Sequence, residues 1–162
     1  MKAIETTILP LNELCTLLQN LRFNKKVVLT NGCFDILHIG HTELLKFAKA
    51  KGDILVVALN DDFSIKNIKG NGRPVITLDM RAKVINSLKP VDFVTYFSEK
   101  NAANVVEKLK PDCYVKDSEY DIKNTPEGIE VLKQGGKIYE FPKIKEISTT
   151  LIVNKILSFE GE

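Results

Sequence analysis

The sequence has few cysteines, glycines and prolines, and its cysteines show no pairing pattern. Cys15, Cys33 and Cys113 are far apart and include no Cys-x-x-Cys pair, which argues against both a disulfide framework and a zinc site. No repeat or low-complexity run is visible, and an apolar content of 44% is typical of a globular chain. A length of 162 residues suits a single domain with one substantial core.

Long apolar runs and a large excess of charge are also missing. No segment approaches the length needed to span a bilayer, and Glu5 interrupts the apolar N-terminal stretch. The formal net charge is only +2 and the basic residues are dispersed, which disfavours a surface for nucleic acid. We therefore expect a cytoplasmic protein with reduced thiols that binds neither membrane nor nucleic acid.

Apolar runs alternate with amphipathic segments along the chain, as in a doubly wound α/β fold. The leucines at 11, 14, 18 and 21 predict a lead-in helix within residues 1–24. Predicted strands cover residues 26–31, 53–60, 91–97, 111–116 and 136–141, and predicted helices cover 41–52, 78–89, 101–110, 125–134 and the chain from about 148. We expect one Rossmann-like domain over residues 1–162, with a parallel sheet that binds its ligand at the carboxyl ends of the strands.

Histidine is scarce too, and both copies lie in the stretch TNGCFDILHIGH, residues 30–41. Gly32 is expected to turn the chain sharply out of the first strand, and Gly40 to let a ligand approach the backbone closely. His41 falls in the first turn of the next helix, where free N–H groups and the helix dipole attract anions. Because His38 lies just upstream, we predict that both imidazoles donate hydrogen bonds to one phosphate.

The motifs GCFD at 32–35 and HIGH at 38–41 resemble the signature of the nucleotidyltransferase superfamily. That superfamily includes the cytidylyltransferases and the class I aminoacyl-tRNA synthetases, but the synthetases need a longer chain and a KMSKS loop, which this sequence lacks. Instead ISTT at 147–150 opens the last predicted helix and resembles the second signature of the small cytidylyltransferase-like enzymes.

A closer resemblance, over nearly the whole chain, is to the adenylyltransferase domain of bacterial ADP-heptose synthases. Its motifs match, in order, residues 30–41, 51–62, 69–75 and 148–150. The resemblance implies an enzyme of carbohydrate metabolism, such as lipopolysaccharide synthesis, that transfers AMP from ATP to a sugar phosphate such as heptose 1-phosphate and releases pyrophosphate. It also implies Mg²⁺ bound with the triphosphate and without a dedicated protein cage, and we expect a homodimer.

The resemblance implies roles for individual residues. His38, His41 and Lys69 are the implied catalytic residues, with Lys69 on a flexible loop closed by glycines 70 and 72. Asp117 and Glu119, where the sequence departs from the family, are predicted to bind the acceptor. The implied nucleotide-binding residues are Asn31, Gly32, Cys33, Phe34, Asp35, Gly40, Asn60, Asp62, Arg81, Lys116, Ser148, Thr149 and Thr150.

Several of these residues have a purely structural interpretation that the sequence leaves open. Asn60 and Asp62 could form a turn, and Asp35 could simply lead into the helix. Arg81 could orient the triphosphate, brace the site or form a salt bridge on a helix surface. The segment 148–150 could be an anion cradle or an ordinary helix N-cap.

Two departures from the related families leave the acceptor open. Asp117 stands where the ADP-heptose synthases have glycine, and Lys143 stands where glycerol-3-phosphate cytidylyltransferases have arginine. One alternative is therefore a CTP-dependent cytidylyltransferase acting on glycerol 3-phosphate or another small phosphorylated acceptor. An alternative of another class is a non-catalytic nucleotide-binding module on the same fold.

Overall fold

The computed structural model describes residues 7–118 and 121–159. Its strands form a single parallel sheet in the order β3-β2-β1-β4-β5, which confirms the predicted Rossmann-like α/β fold. The strands are β1 (Val27–Gly32), β2 (Ile54–Asn60), β3 (Phe93–Phe97), β4 (Cys113–Asp117) and β5 (Lys137–Phe141). The helices are α1 (Leu11–Leu21), α2 (Ile39–Lys49), α3 (Asp62–Lys69), α4 (Leu78–Asn86), α5 (Ala103–Leu109), α6 (Pro126–Lys133) and α7 (Thr149–Ser158), with a 3-10 turn at Ile122–Asn124.

Two hydrophobic layers cover the two faces of the sheet, because successive strand side chains point to opposite faces. Val27 and Leu29 pack with residues of α1, α5 and α6, whereas Val28 packs with residues of α2 and α4. A strand that is buried on both faces must be apolar at nearly every position. This is why β2, which is buried along its whole length, was visible in the sequence as a continuous apolar run.

The strand order reverses beside β1. The chain adds β2 and β3 on one side of β1, and then returns to pair β4 with its other side. Helices that connect to opposite sides of the sheet at such a reversal leave a crevice at the carboxyl ends of the two strands. The crevice therefore opens where Gly32 ends β1 and Asp117 ends β4.

The lead-in helix belongs to the domain. Leu14 and Leu18 of α1 are buried in the sheet's hydrophobic layer. The chain before α1 runs beside β3, because Val94 N donates to Thr7 O at 2.8 Å and Leu9 N donates to Val94 O at 2.9 Å. Residues 1–6 of the predicted lead-in segment lie outside the described residues.

Helix α3 is the main element that the sequence did not predict. Asp61 caps it, with its carboxylate accepting a hydrogen bond from Ser64 N at 2.7 Å, and only Ser64 and Ile65 are buried. Two buried positions are too few to show helical periodicity. Lys69 is thus the last residue of a helix, with Gly70 at a φ of 87° ending it, and not the loop residue that we predicted. Across residues 7–118 and 121–159, no helix is long and apolar enough to cross a membrane.

Candidate active site

The two histidines lie side by side at the start of α2. His38 is the N-cap residue and His41 lies in the first turn. Their rings stack with centroids 3.8 Å apart and an interplanar angle of 21°, and the Phe34 ring lies 5.0 Å from that of His41. The predicted pairing of the imidazoles at one helix start is therefore present.

Burial favours the neutral form of both imidazoles. Loss of hydration lowers the pKa of His38. For His41 the loss of hydration, with the nearby charges of His38 and Lys69, lowers the pKa to about 4, although Asp35 acts in the opposite direction. The Nδ1 atoms of both rings are buried and have no hydrogen-bond partner among the described residues. Buried polar atoms without partners are rare in proteins and mark positions where a ligand atom is expected.

The two glycines near the histidines lie in different settings. A side chain on Gly40 would meet the His38 ring at 3.0 Å, so Gly40 makes room for this imidazole. Gly40 also lines the pocket beside the histidines, so the predicted approach of a ligand to its backbone stays a prediction. Gly32 remains within β1, and the turn out of the strand uses Phe34, whose φ is 46°. A left-handed phenylalanine is strained, and such residues cluster at functional sites.

A pocket of about 320 Å³, which we call the histidine pocket, lies between the starts of α2 and α7. Ser148 caps α7, because its Oγ accepts a hydrogen bond from Leu151 N at 3.2 Å, so the N-cap interpretation is correct. The same end of α7 also faces the histidines across the pocket. The pocket is lined by His38, Gly40, His41, Leu44, Lys69, Asp117, Phe141, Lys143, Ile144, Ile147, Ser148, Thr149 and Thr150.

Two further pockets continue from the first along the crevice. The middle one, of about 160 Å³, contains Asn31, Cys33 and Lys116, and the far one, of about 370 Å³, contains Glu127 and is called the glutamate pocket below. Lys69 and Asp117 line all three pockets, so these are parts of one continuous groove.

The end of β4 supplies the polar centre of this groove. Lys116 Nζ donates to the backbone oxygen of Asn31 at 2.9 Å, and burial lowers the pKa of Lys116 although Asp117 and Glu127 oppose the shift. Asp117 Oδ1 is buried and has no hydrogen-bond partner among the described residues. The Lys116 amine and the unpaired Asp117 carboxylate oxygen therefore both lie at the end of β4, where the strand order reverses.

Arg81 braces the site and does not face the pockets. Its buried guanidinium donates from Nε to Ile76 O at 3.0 Å, from Nη1 to Cys33 O at 2.6 Å, and from Nη2 to Asn60 O at 2.9 Å. Nη2 also pairs with Asp62 Oδ1 at 2.8 Å. Arg81 therefore braces the site, which is one of the roles that the sequence left open, and it lines none of the described pockets. Asp62 pairs with Arg81 through one oxygen only and its side chain is 44% exposed, so its predicted contact with nucleotide stays a prediction. The surface-salt-bridge interpretation of Arg81 is wrong, since the side chain is buried.

Asp35 likewise anchors the chain. Its carboxylate is only 1% exposed and accepts hydrogen bonds from Arg73 Nη1, Val75 N and Ile76 N. The shortest distance from the carboxylate to each of these donors is 2.9 Å. Burial alone would raise the pKa of Asp35, but these hydrogen bonds outweigh burial and lower it. Asp35 therefore tethers the end of β1 to the chain before α4, and it also lines the middle pocket, so its predicted contact with nucleotide stays a prediction.

Other predicted residues do line the groove, and some residues of the groove were missed. Asn60 lines the glutamate pocket, although its Nδ2 donates to Ser64 Oγ at 3.0 Å. Lys143 lies two residues after β5 and lines the histidine pocket, so the rule that strand ends carry ligands could have identified it. Glu127 had no such signal, because it follows a turn and not a strand. Glu119 lies outside the described residues.

Comparison with known proteins gives one family and several similar chains. The family model described as cytidylyltransferase-like matches residues 29–155. The chain is 46% identical over 134 residues to the "Bifunctional protein HldE" of Shewanella sp. (strain W3-18-1), and 45% identical over 134 residues to the protein of that name from Shewanella amazonensis (strain ATCC BAA-1098 / SB2B). Each match covers 83% of this chain but only 28% of the relative.

Two solved structures share the fold. The lipopolysaccharide core biosynthesis protein from Thermoplasma volcanium GSS1 is 30% identical with a TM-score of 0.63, and the match covers 75% of this chain and 99% of that one. The pantoate-beta-alanine ligase from Francisella tularensis is 18% identical with a TM-score of 0.59, over 94% of this chain and 78% of that one. At that identity the ligase shows similarity of fold alone.

Proposed function

The chain belongs to the cytidylyltransferase-like family and is a nucleotidyltransferase, and from this premise we propose that it transfers AMP from ATP to a sugar phosphate such as heptose 1-phosphate. Pyrophosphate is the second product. The observation that carries the proposal is the histidine pocket, where two neutral imidazoles at the start of α2 face the start of α7 and Lys69 stands at the edge. Donors and helix ends directed at one cavity suit a polyphosphate.

The reaction needs little covalent chemistry from the protein. An oxygen of the acceptor phosphate attacks the α-phosphorus of ATP in line, and the new P–O bond forms as the bond to the oxygen bridging the α- and β-phosphates breaks. Pyrophosphate leaves with that electron pair. Because the attacking phosphate is already ionised, the chain has only to align the two substrates and stabilise the charge on the α-phosphate and the pyrophosphate.

The histidines and the helix start are assigned to the triphosphate. As neutral groups, His38 and His41 each donate one N–H hydrogen bond, and the arriving phosphate charge favours their protonation. The backbone N–H groups at the start of α7 hold further phosphate oxygens. Lys69, which is exposed at the end of α3, adds a compact positive charge beside the same pocket.

Magnesium would enter with the triphosphate. The described residues contain no group of three or more His, Cys, Asp or Glu side chains that could hold a metal ion. Magnesium bound to nucleotides usually takes most of its ligands from phosphates and water and only one or two from carboxylates, so the single unpaired oxygen of Asp117 fits such an ion. When bound, Mg²⁺ would neutralise phosphate charge.

The test is a matrix of substrates with pyrophosphate release as the measurement. ATP, CTP, GTP and UTP are each combined with heptose 1-phosphate and with glycerol 3-phosphate in the presence of Mg²⁺. We expect ATP with heptose 1-phosphate to give the highest kcat/KM. Lys83→Ala is a matched control, because Lys83 is an exposed residue of α4 that lines none of the described pockets.

Each other outcome rejects part of the proposal. Faster turnover of CTP with glycerol 3-phosphate would replace it with the cytidylyltransferase alternative. Nucleotide binding without pyrophosphate release for any pair would leave only the non-catalytic module.

A further inference from the structure

Two polar side chains of the glutamate pocket are held in place by hydrogen bonds to backbone N–H groups. Glu127 is only 9% exposed, and its Oε1 accepts a hydrogen bond from Ala102 N at 2.9 Å, which fixes the carboxylate between the starts of α5 and α6. Asn101 is held similarly, because its Oδ1 accepts from Ala103 N at 3.1 Å and its amide nitrogen keeps two donors. Both side chains line a cavity of about 370 Å³.

Both ends of the groove carry lysines, but their other polar groups differ. The histidine pocket combines Lys69 and Lys143 with two imidazoles, and Asp117 is its one carboxylate among the described residues. The glutamate pocket has a second carboxylate, Glu127, and carboxamides, and its lysines are Lys69, Lys100 and Lys116. Carboxylates and carboxamides bind neutral hydroxyl groups, whereas lysines bind a phosphate. The glutamate pocket therefore suits a phosphorylated polyol.

The centre of the groove joins the two ends. Lys69 and Lys116 line both the middle pocket and the glutamate pocket, next to the end of β1. Lys116, Asp117 and Glu127 line the same pocket, and the two carboxylates raise the pKa of Lys116 against the lowering by burial. An acceptor whose hydroxyl groups occupied the glutamate pocket would thus present its phosphate to these amines, beside the triphosphate.

We propose that the glutamate pocket is the acceptor subsite, in which Glu127 accepts hydrogen bonds from sugar hydroxyl groups and the Asn101 amide donates to them. The acceptor phosphate lies beside Lys116 and Lys69. This assignment rests on the proposed function, since it requires a phosphorylated polyol as the second substrate.

Two near-isosteric substitutions test the subsite. Glu127→Gln keeps an oxygen for Ala102 N but removes the charge, and Asn101→Asp keeps the oxygen for Ala103 N but removes both amide donors. Glu107→Gln is the matched control, because Glu107 is exposed on α5 and lines none of the described pockets. The measurements are KM and kcat for heptose 1-phosphate and for glycerol 3-phosphate, and the Kd of ATP by calorimetry.

Weakening a charge-assisted hydrogen bond in Glu127→Gln, or losing a neutral one in Asn101→Asp, corresponds to about a fivefold rise in the KM for heptose 1-phosphate. We expect this rise in both variants, with the Kd of ATP and the values for Glu107→Gln unchanged. Glycerol 3-phosphate has fewer hydroxyl groups than heptose 1-phosphate and so forms fewer hydrogen bonds that the substitutions can remove. Its KM should therefore change less. This selectivity distinguishes hydroxyl recognition from a general loss of structure.

Two results overturn the assignment without touching the proposed function. One is a wild-type enzyme that uses heptose 1-phosphate while both variants keep its KM. The other is a variant that weakens ATP binding as much as acceptor binding, which would move the pocket to the nucleotide side. If Glu127→Gln does not fold, the KM and the Kd of ATP of Asn101→Asp alone decide whether the assignment holds. A wild-type protein that releases no pyrophosphate with either acceptor rejects the proposed function and this subsite with it.

Discussion

Replacing Arg81 with leucine tests whether this arginine braces the site or binds nucleotide. The side chain is 1% exposed, and its guanidinium is the hydrogen-bond donor for the backbone oxygens of Cys33, Asn60 and Ile76. Leucine fills part of the volume but offers no donor. The substitution therefore leaves three backbone acceptors at the carboxyl ends of β1 and β2 and before α4 without their partner.

The loss of stability can be estimated from these contacts. Each buried acceptor left without a donor costs about 1 to 3 kcal/mol, and partial entry of water and the packing of leucine offset some of the sum. Loss of the ion pair with Asp62 adds little to this cost, because the Asp62 side chain is 44% exposed and solvent screens its charge. We expect the free energy of unfolding to fall by about 3 to 5 kcal/mol, the range typical of breaking a buried ion pair or network.

Equilibrium unfolding in urea measures this loss, and calorimetry at a temperature where the variant is folded measures the Kd of ATP. Lys83→Leu, on the same helix but with a side chain that is 67% exposed, should change the free energy of unfolding by less than about 0.5 kcal/mol. ATP binding by folded Arg81→Leu should stay within about threefold of wild type, since the guanidinium lines none of the described pockets. Wild-type stability combined with a large loss of ATP affinity would refute the bracing role.

Three further predictions concern the groove itself. His41→Ala should fold normally but release pyrophosphate about 100- to 1,000-fold more slowly, because a preorganised donor to the triphosphate is missing; near-wild-type kcat would exclude the catalytic role. The pKa of His41 is about 4 in the folded protein against an ordinary value of 6.5, so the unfolded chain binds a proton that the folded chain does not, and stability should fall as the pH drops from 6.5 towards 4. The urea midpoint of unfolding is measured for wild type and His41→Asn at about pH 7 and at about pH 5, and the lower value lies within that window. The midpoint should drop less between the two pH values in the variant, and equal drops would contradict the assignment. Asp117→Gly should raise the KM for heptose 1-phosphate, because an unpaired carboxylate oxygen is removed from the groove, whereas a lower KM would mean that the native acceptor differs from that of the ADP-heptose synthases.

Local patterns in the sequence were sufficient for the sheet and for the family. The predicted bounds of the strands lie within two residues of those observed. For β2 the reason is burial on both faces, which requires apolar residues at nearly every position, whereas β5 is an edge strand with exposed residues. The motifs at 32–35, 38–41 and 147–150 indicated a nucleotidyltransferase, and the family match over residues 29–155 confirms it. Helix α3 escaped prediction because a short helix with two buried residues has no visible period.

The roles of the charged residues depended on contacts that no local pattern contains. Arg81 and Asp35 looked like nucleotide ligands in the sequence, yet each is held by backbone groups. Their partners lie 48, 21, 40 and 41 residues away in the chain. Whether a buried charge is available to a ligand is decided by whether such distant groups already satisfy it.

The sequence by itself therefore determined the α/β fold, the class of reaction and the pairing of the histidines, because each depends on periodicity or on residues within one short motif. Only the tertiary structure decided which side chains are free to bind substrates. It placed the guanidinium of Arg81 among backbone oxygens and brought Glu127 into the groove, beside the end of β4. The physical reason is that a parallel sheet aligns the ends of strands that are distant in sequence, and the hydrogen bonds formed there settle the role of each polar group.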